Sequence, residues 1–134
     1  MIKIEVPLYV TLPRKTKKDK KYMLNLNQYR NWHYVVSNQL KHRFCEALES
    51  SLRGLKLKDE LDITYTLYKG SKRKIDRANV LCIIEKFFCD ALTFYGCIPD
   101  DNDDYIKATH YLDGGIDKNN PRVEITIKTY DKSN

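Results

Sequence analysis

Asp76 sits in the cationic run Lys69-Gly70-Ser71-Lys72-Arg73-Lys74-Ile75-Asp76-Arg77, and Asp100, Asp101, Asp103 and Asp104 crowd into a short turn downstream. Carboxylates set among cations serve one chemistry well. Phosphodiester hydrolysis needs a nucleophilic water, charge relief on the phosphoryl oxygens and a stabilised leaving oxygen. Magnesium supplies all three when a few carboxylates hold it and leave water sites open. Packed carboxylates repel and hold their protons more tightly, and a bound dication reverses that. Asp76, Asp100 and Asp101, with Asp90, are therefore candidate metal ligands, and the surrounding cations are candidates for holding a nucleic acid.

Each residue also has a plainer use. Asp76 lies at a helix start and can cap the free N–H groups there. Asn79, Lys86 and Asp90 fall on one narrow helical stripe beside the apolar face. That stripe allows a Lys86–Asp90 surface ion pair worth a few tenths of a kcal/mol. It also allows Lys86 to steady a phosphate or a leaving oxygen. The four aspartates of the downstream turn can be a solvated loop.

The cations come in two groups, with Arg14, Lys15, Lys17, Lys18, Lys20 and Lys21 in the first and Lys69, Lys72, Arg73, Lys74 and Arg77 in the second. The net charge is +6 over 134 residues, a mild lean toward polyanions. A chain of this length forms one domain with a modest core. Cys45, Cys82, Cys89 and Cys97 form no CxxC pair and have no ligand spacing with His33, His42 or His110. They read as buried, reduced thiols of a cytoplasmic protein, and a zinc site is not expected. No apolar run approaches the ~18 residues of a membrane span, and no signal peptide is visible.

The elements that must position these residues follow from periodicity. Ile2, Ile4, Val6, Leu8 and Val10 alternate as a half-buried strand. Pro13 and the first basic group read as a loop. Asn27 is the expected N-cap of a helix running to about Leu52, stopped by Gly54. Leu61, Ile63, Tyr65 and Leu67 make a second strand that ends at Gly70. A second helix runs from about Asn79 to Tyr95, with Gly96 as its stop. Ile106 to Leu112 and Val123 to Ile127 read as the arms of a long-looped antiparallel hairpin. The order β-α-β-α-β-β predicts an α+β domain spanning 1–134, with a small mixed sheet of about four strands covered by two helices.

The run Asp76-Arg77-Ala78-Asn79, Lys86, Asp90-Ala91-Leu92, Gly96, Ile98, Asp100-Asp101 resembles the RusA-type Holliday junction resolvases. Their pattern is roughly D-x-D-N, a helical Lys, D-A-L, Gly, then D-D. Leu26-Asn27-Gln28-Tyr29-Arg30 is similar to the N-terminal segment of phage-borne members. The likeness extends over most of the chain and is most specific from Asp76 to Asp101. It implies a homodimeric endodeoxyribonuclease that uses Mg2+, or Mn2+ in its place, and no small-molecule cofactor. Its substrate is branched DNA, in particular the four-way junction of recombination and repair, resolved by paired cuts. The first family Asp corresponds to Asp76, the last to Asp101 with Asp100 beside it, and the helical Lys to Lys86.

Two departures stand out. Ala78 replaces the second Asp of D-x-D-N, so either Asp100, Asp90 or Glu85 takes its place or the activity is weak or differently directed. The helix is also about one turn longer than the simplest family pattern, which keeps the faces in phase. A helix of that length spans ~25 Å, and only Gly96 to Asp101 leads back. Asp76 and Asp101 meet either through a late helix start or across a dimer. Two other functions compatible with the residues are a non-catalytic binder of junctions or single strands, and a nuclease for other branched DNA.

Overall fold

Pro7 decides the first departure from a simple alternation. The computed structural model describes residues 1–132 and begins with β1 (Ile2–Val6), in which Ile4 and Val6 are buried. Pro7 has no N–H to donate to a ladder. The chain leaves the sheet there, and β2 (Tyr9–Leu12) pairs instead with β3 (Lys20–Met23) in a separate two-stranded ribbon. The single strand expected over 2–10 is thus two strands in two sheets. The alternation is unchanged because Leu8, Val10 and Leu12 still face the core.

The long helix expected from Asn27 to Leu52 is broken into three. α1 (Leu26–Tyr29) is capped not by Asn27 but by Asn25, whose side-chain oxygen accepts from the Gln28 N–H at 2.8 Å. α2 (Tyr34–Ala47) is capped by His33, whose Nδ1 accepts from the Val35 N–H at 3.2 Å. Leu48 closes α2 and opens α3 (Glu49–Leu52). The break before α2 has a packing cause. Trp32 sits edge-on to Tyr22 and Tyr29, with ring centroids 6.0 and 5.8 Å away. That anchorage holds the chain outside helical geometry while two local caps satisfy the freed N–H groups.

β4 (Leu61–Lys69) alternates strictly, with Leu61, Ile63, Tyr65 and Leu67 buried. α4 (Arg77–Phe94) buries more than one face, because the sheet lies on one side of it and α1 and α2 on the other. Gly96, at φ +70°, ends the turn after α4 in the left-handed region. β5 (Ile106–Ile116) then pairs parallel to β4, and β6 (Arg122–Thr129) pairs antiparallel to β4 on its other side.

The sheet order is β1-β6-β4-β5. β5 and β6 are therefore not a hairpin, since β4 lies between them. Burial explains the choice. Val123, Ile125 and Ile127 are all buried, which suits a central strand, whereas β5 is half polar and takes an edge. The parallel β4–β5 pair is joined through α4, as a parallel pair requires a long crossover. Arg122 pins the start of β6, with its guanidinium 2.7 Å from Glu124, 2.8 Å from Asp117 and 3.4 Å from Glu5. The α+β class and the mixed four-stranded sheet are as expected.

All four cysteines are free thiols, with Cys89 and Cys97 buried and Cys45 and Cys82 half-buried. No helix of the described residues is long and apolar enough to cross a membrane.

Candidate functional site

Asp76 is the N-cap of α4, and its Oδ1 accepts from the Ala78 N–H at 3.1 Å. The side chain remains exposed and keeps its second oxygen free for other partners. It borders a hollow of about 250 Å3 shared with Asp113 of β5 and flanked by Lys69 and Arg77. Asp113 was not visible in sequence reasoning, because it sits in a turn-rich stretch that gives no hint of its place on a strand beside Asp76.

Asp90, Asp100 and Asp101 gather along the C-terminal half of α4. They line an open cleft of about 670 Å3 together with Lys41, His42 and Phe94. Asp90 does not pair with Lys86, as the helical spacing allows. Its Oδ2 lies 2.9 Å from Lys41 Nζ on α2, so a tertiary contact replaces the i,i+4 pair. Asp100 stiffens the turn by accepting from the Asp101 N–H at 2.8 Å and from Asn102 Nδ2 at 3.2 Å. Asp103 and Asp104 are exposed beside it.

Asp101 borders a second, smaller hollow of about 150 Å3 with Glu85, Lys86, Asp103 and Thr109. Lys86 thus stands beside Asp101, and Asp101 belongs to both concavities. Glu85 is half-buried and accepts from the Tyr111 hydroxyl of β5. Burial, with the Glu85 carboxylate next in weight, pushes the Tyr111 hydroxyl well above its ordinary range. Beneath it, burial pushes the Cys89 thiol up to about 12, with Tyr65 Oη 3.7 Å from its sulfur.

The candidate carboxylates therefore form two groups rather than one. Asp76 caps the start of α4 (Arg77–Phe94), whereas the turn after the helix brings Asp101 back beside Glu85, Lys86 and Cys89 near its middle. Among the described residues, no group of three or more His, Cys, Asp or Glu side chains is arranged to hold a metal ion. Within one chain, Asp76 does not join Asp90, Asp100 and Asp101.

The first basic group divides between loop and strand. Arg14, Lys15, Lys17 and Lys18 lie in the loop joining β2 to β3, where Arg14 Nε donates to the Lys18 carbonyl at 2.7 Å. Lys20 and Lys21 belong to β3, with their ammonium groups 4.9 Å from the Tyr22 ring centre and 4.0 Å from that of Tyr9. In the second group, Lys69 ends β4, Lys72, Arg73 and Lys74 occupy the loop, and Arg77 opens α4. This loop runs directly into Asp76.

No protein-family model matches the sequence, and no curated protein matches it significantly.

Proposed function

We propose that this chain is a structure-selective endodeoxyribonuclease that depends on magnesium and acts on branched DNA, foremost the four-way junction. One observation carries the reading. Exposed carboxylates stand beside cations at two places along α4, Asp76 between Lys69 and Arg77 at its start, and Asp101 beside Lys86 near its middle. The order of these residues along the chain is that of the RusA-type pattern.

The fit to a divalent cation is incomplete in one chain, because Asp76 and Asp101 border different hollows and no three such acids converge among the described residues. A complete site on this reading takes Asp76 from one chain and Asp101 from another. What the chain's own groups do is simpler. The segments 14–21 and 69–77 neutralise backbone phosphates without reading bases. A two-fold dimer presents two sites to a substrate that is itself nearly symmetric. Lys86, exposed at the rim beside Asp101, offers a positive charge to a phosphoryl oxygen.

The experiment is a magnesium titration on end-labelled junction, flap and linear duplex at one fixed salt concentration. The expected result is nicked junction appearing with magnesium and little cutting of linear duplex. Binding without nicks at any magnesium concentration would instead establish a non-catalytic junction binder, the reading favoured by the separation of the acids within one chain. Faster cutting of flaps than of junctions would make it a nuclease for other branches.

A further inference from the structure

We propose that the open cleft between α2 and α4 takes an unpaired nucleobase of a DNA strand, stacked on Phe94 and held at its edge by the Lys41–Asp90 pair. That the strand is DNA rests on the nuclease reading above, whereas the fit to a base follows from the cleft itself.

The cleft forms where two helices meet along matching stripes. Asn38, Lys41 and Cys45 on α2 are spaced three and then four residues apart, as are Phe87, Asp90 and Phe94 on α4. Each set falls on one helical face. Between them Ala91 is buried and small, and the cleft measures about 670 Å3. That lies within the ~300–1,000 Å3 usual for small-molecule sites.

Phe94 stands at the rim, 70% exposed, and meets Tyr95 edge-on with ring centroids 5.0 Å apart. A single exposed apolar side chain needs no explanation by itself. An exposed ring beside a cleft that also offers polar groups is a stacking platform for a flat, polar-edged ligand. Lys41 Nζ lies 2.9 Å from Asp90 Oδ2 and both side chains are part exposed, so a donor and an acceptor stand side by side. A nucleobase presents donor and acceptor groups next to each other along its pairing edge, which is the edge read when a base leaves the stack. Asn38 and His42 also line the cleft, and their side chains make no hydrogen bond or ion pair among the described residues.

Charge decides between occupants. Asp90, Asp100 and Asp101 set three carboxylates against Lys41. A phosphate is repelled there, so the backbone stays outside and only the base enters. A cationic side chain is drawn by the acids but has to crowd Lys41, already seated on Asp90. A neutral base escapes both penalties. Asp101 also borders the Lys86 hollow, so the sugar–phosphate of a base seated here continues toward Lys86. Extrusion of a base costs least where pairing is already lost, as at a branch.

The test is fluorescence anisotropy without magnesium, at one fixed salt concentration. The probes are a duplex with one unpaired thymine and the same duplex with an abasic residue in its place. Thymine is expected to raise affinity about tenfold. Phe94→Ala should erase that gain and leave affinity for the abasic duplex and the circular dichroism spectrum unchanged, while Phe94→Trp should keep the gain. An apolar isostere of thymine keeps the stack but leaves Lys41 and Asp90 without partners, and should bind at least about threefold more weakly than thymine. Equal affinity for the thymine and abasic duplexes, a gain that survives Phe94→Ala, or an isostere that binds as well as thymine would overturn the site. So would displacement of the strand by micromolar thymidine, the mark of a nucleoside pocket, or by micromolar arginine amide, the mark of a cation site. None of these readouts involves cleavage. A chain that prefers the unpaired base and never cuts DNA leaves the cleft standing and removes the nuclease, and a chain that cuts junctions without that preference does the reverse.

Discussion

Asp76 holds two roles that one substitution separates. As N-cap it satisfies the Ala78 N–H, and as a free carboxylate it faces the basic hollow. Asn caps about as well as Asp but is a poor partner for a divalent cation. If the proposed nuclease function holds, Asp76→Asn should melt within a few degrees of wild type, bind junction DNA and lose cutting, whereas Asp76→Ala also loses ~1 kcal/mol of stability. Retention of cutting by the Asn variant in a gel assay would remove Asp76 from the chemistry. Tyr111 poses a different question. Its hydroxyl is the donor to a half-buried Glu85. Tyr111→Phe keeps the ring in its edge-on contact with Tyr65 and should cost ~1–3 kcal/mol in urea unfolding, the usual penalty for leaving a hydrogen-bonding partner unsatisfied. At this scale sequence had Asp76 as either cap or ligand, and the cap is formed. Lys86–Asp90 was legible as helical neighbours. Lys41 took Asp90 instead, since α2 packs alongside α4 and no spacing along one helix can report a contact from another.

Among the elements, the β2–β3 ribbon and its loop are the most separable. The loop holds Arg14, Lys15, Lys17 and Lys18 outside the main sheet. Replacing Lys15, Lys17 and Lys18 with Ala should leave thermal stability within ~0.5 kcal/mol, as exposed loop positions do. If the loop grips phosphates, the same change should reduce the log–log salt slope of junction binding by up to about 3. An unchanged slope in a fluorescence-anisotropy salt series would place the DNA elsewhere. β4 and α4 were readable with near-correct bounds, because strict alternation and a long apolar stripe each leave one regular solution. The helix over 27–52 was not, since apolar spacing survives a break when the broken pieces pack on the same core. Trp32 and the caps at Asn25 and His33 made that break.

Over the whole molecule, the buried hydroxyl and thiol groups between α4 and the sheet set a limit on alkaline stability. The Cys89 thiol has a folded pKa of about 12 against an ordinary 9.0, raised by burial, and Tyr65 and Tyr111 are raised for the same first reason. With the folded pKa raised, these groups are neutral in both states below pH 9. Above it the unfolded thiol ionises while the folded one does not. Stability should be level up to about pH 9 and fall from there toward about 12, by ~1.4 kcal/mol per pH unit for each such proton. Cys89→Ser removes one of those protons and should flatten the decline in urea melts between pH 9 and 11. An identical slope in the variant would show that the thiol ionises equally in both states.

Alternation and helical stripes were enough to establish an α+β domain with a mixed four-stranded sheet, because hydrophobic periodicity reports which face of each element is buried. The same periodicity is silent on neighbours. β5 and β6 alternate as hairpin arms do, and only packing showed β4 between them, chosen because the more apolar strand takes the doubly paired place. The identities of the acids and cations were likewise plain in the chain. Their division into two hollows depended on how the turn after α4 returns beside Glu85 and Lys86 while Asp76 caps the helix start, a placement that exists only in three dimensions.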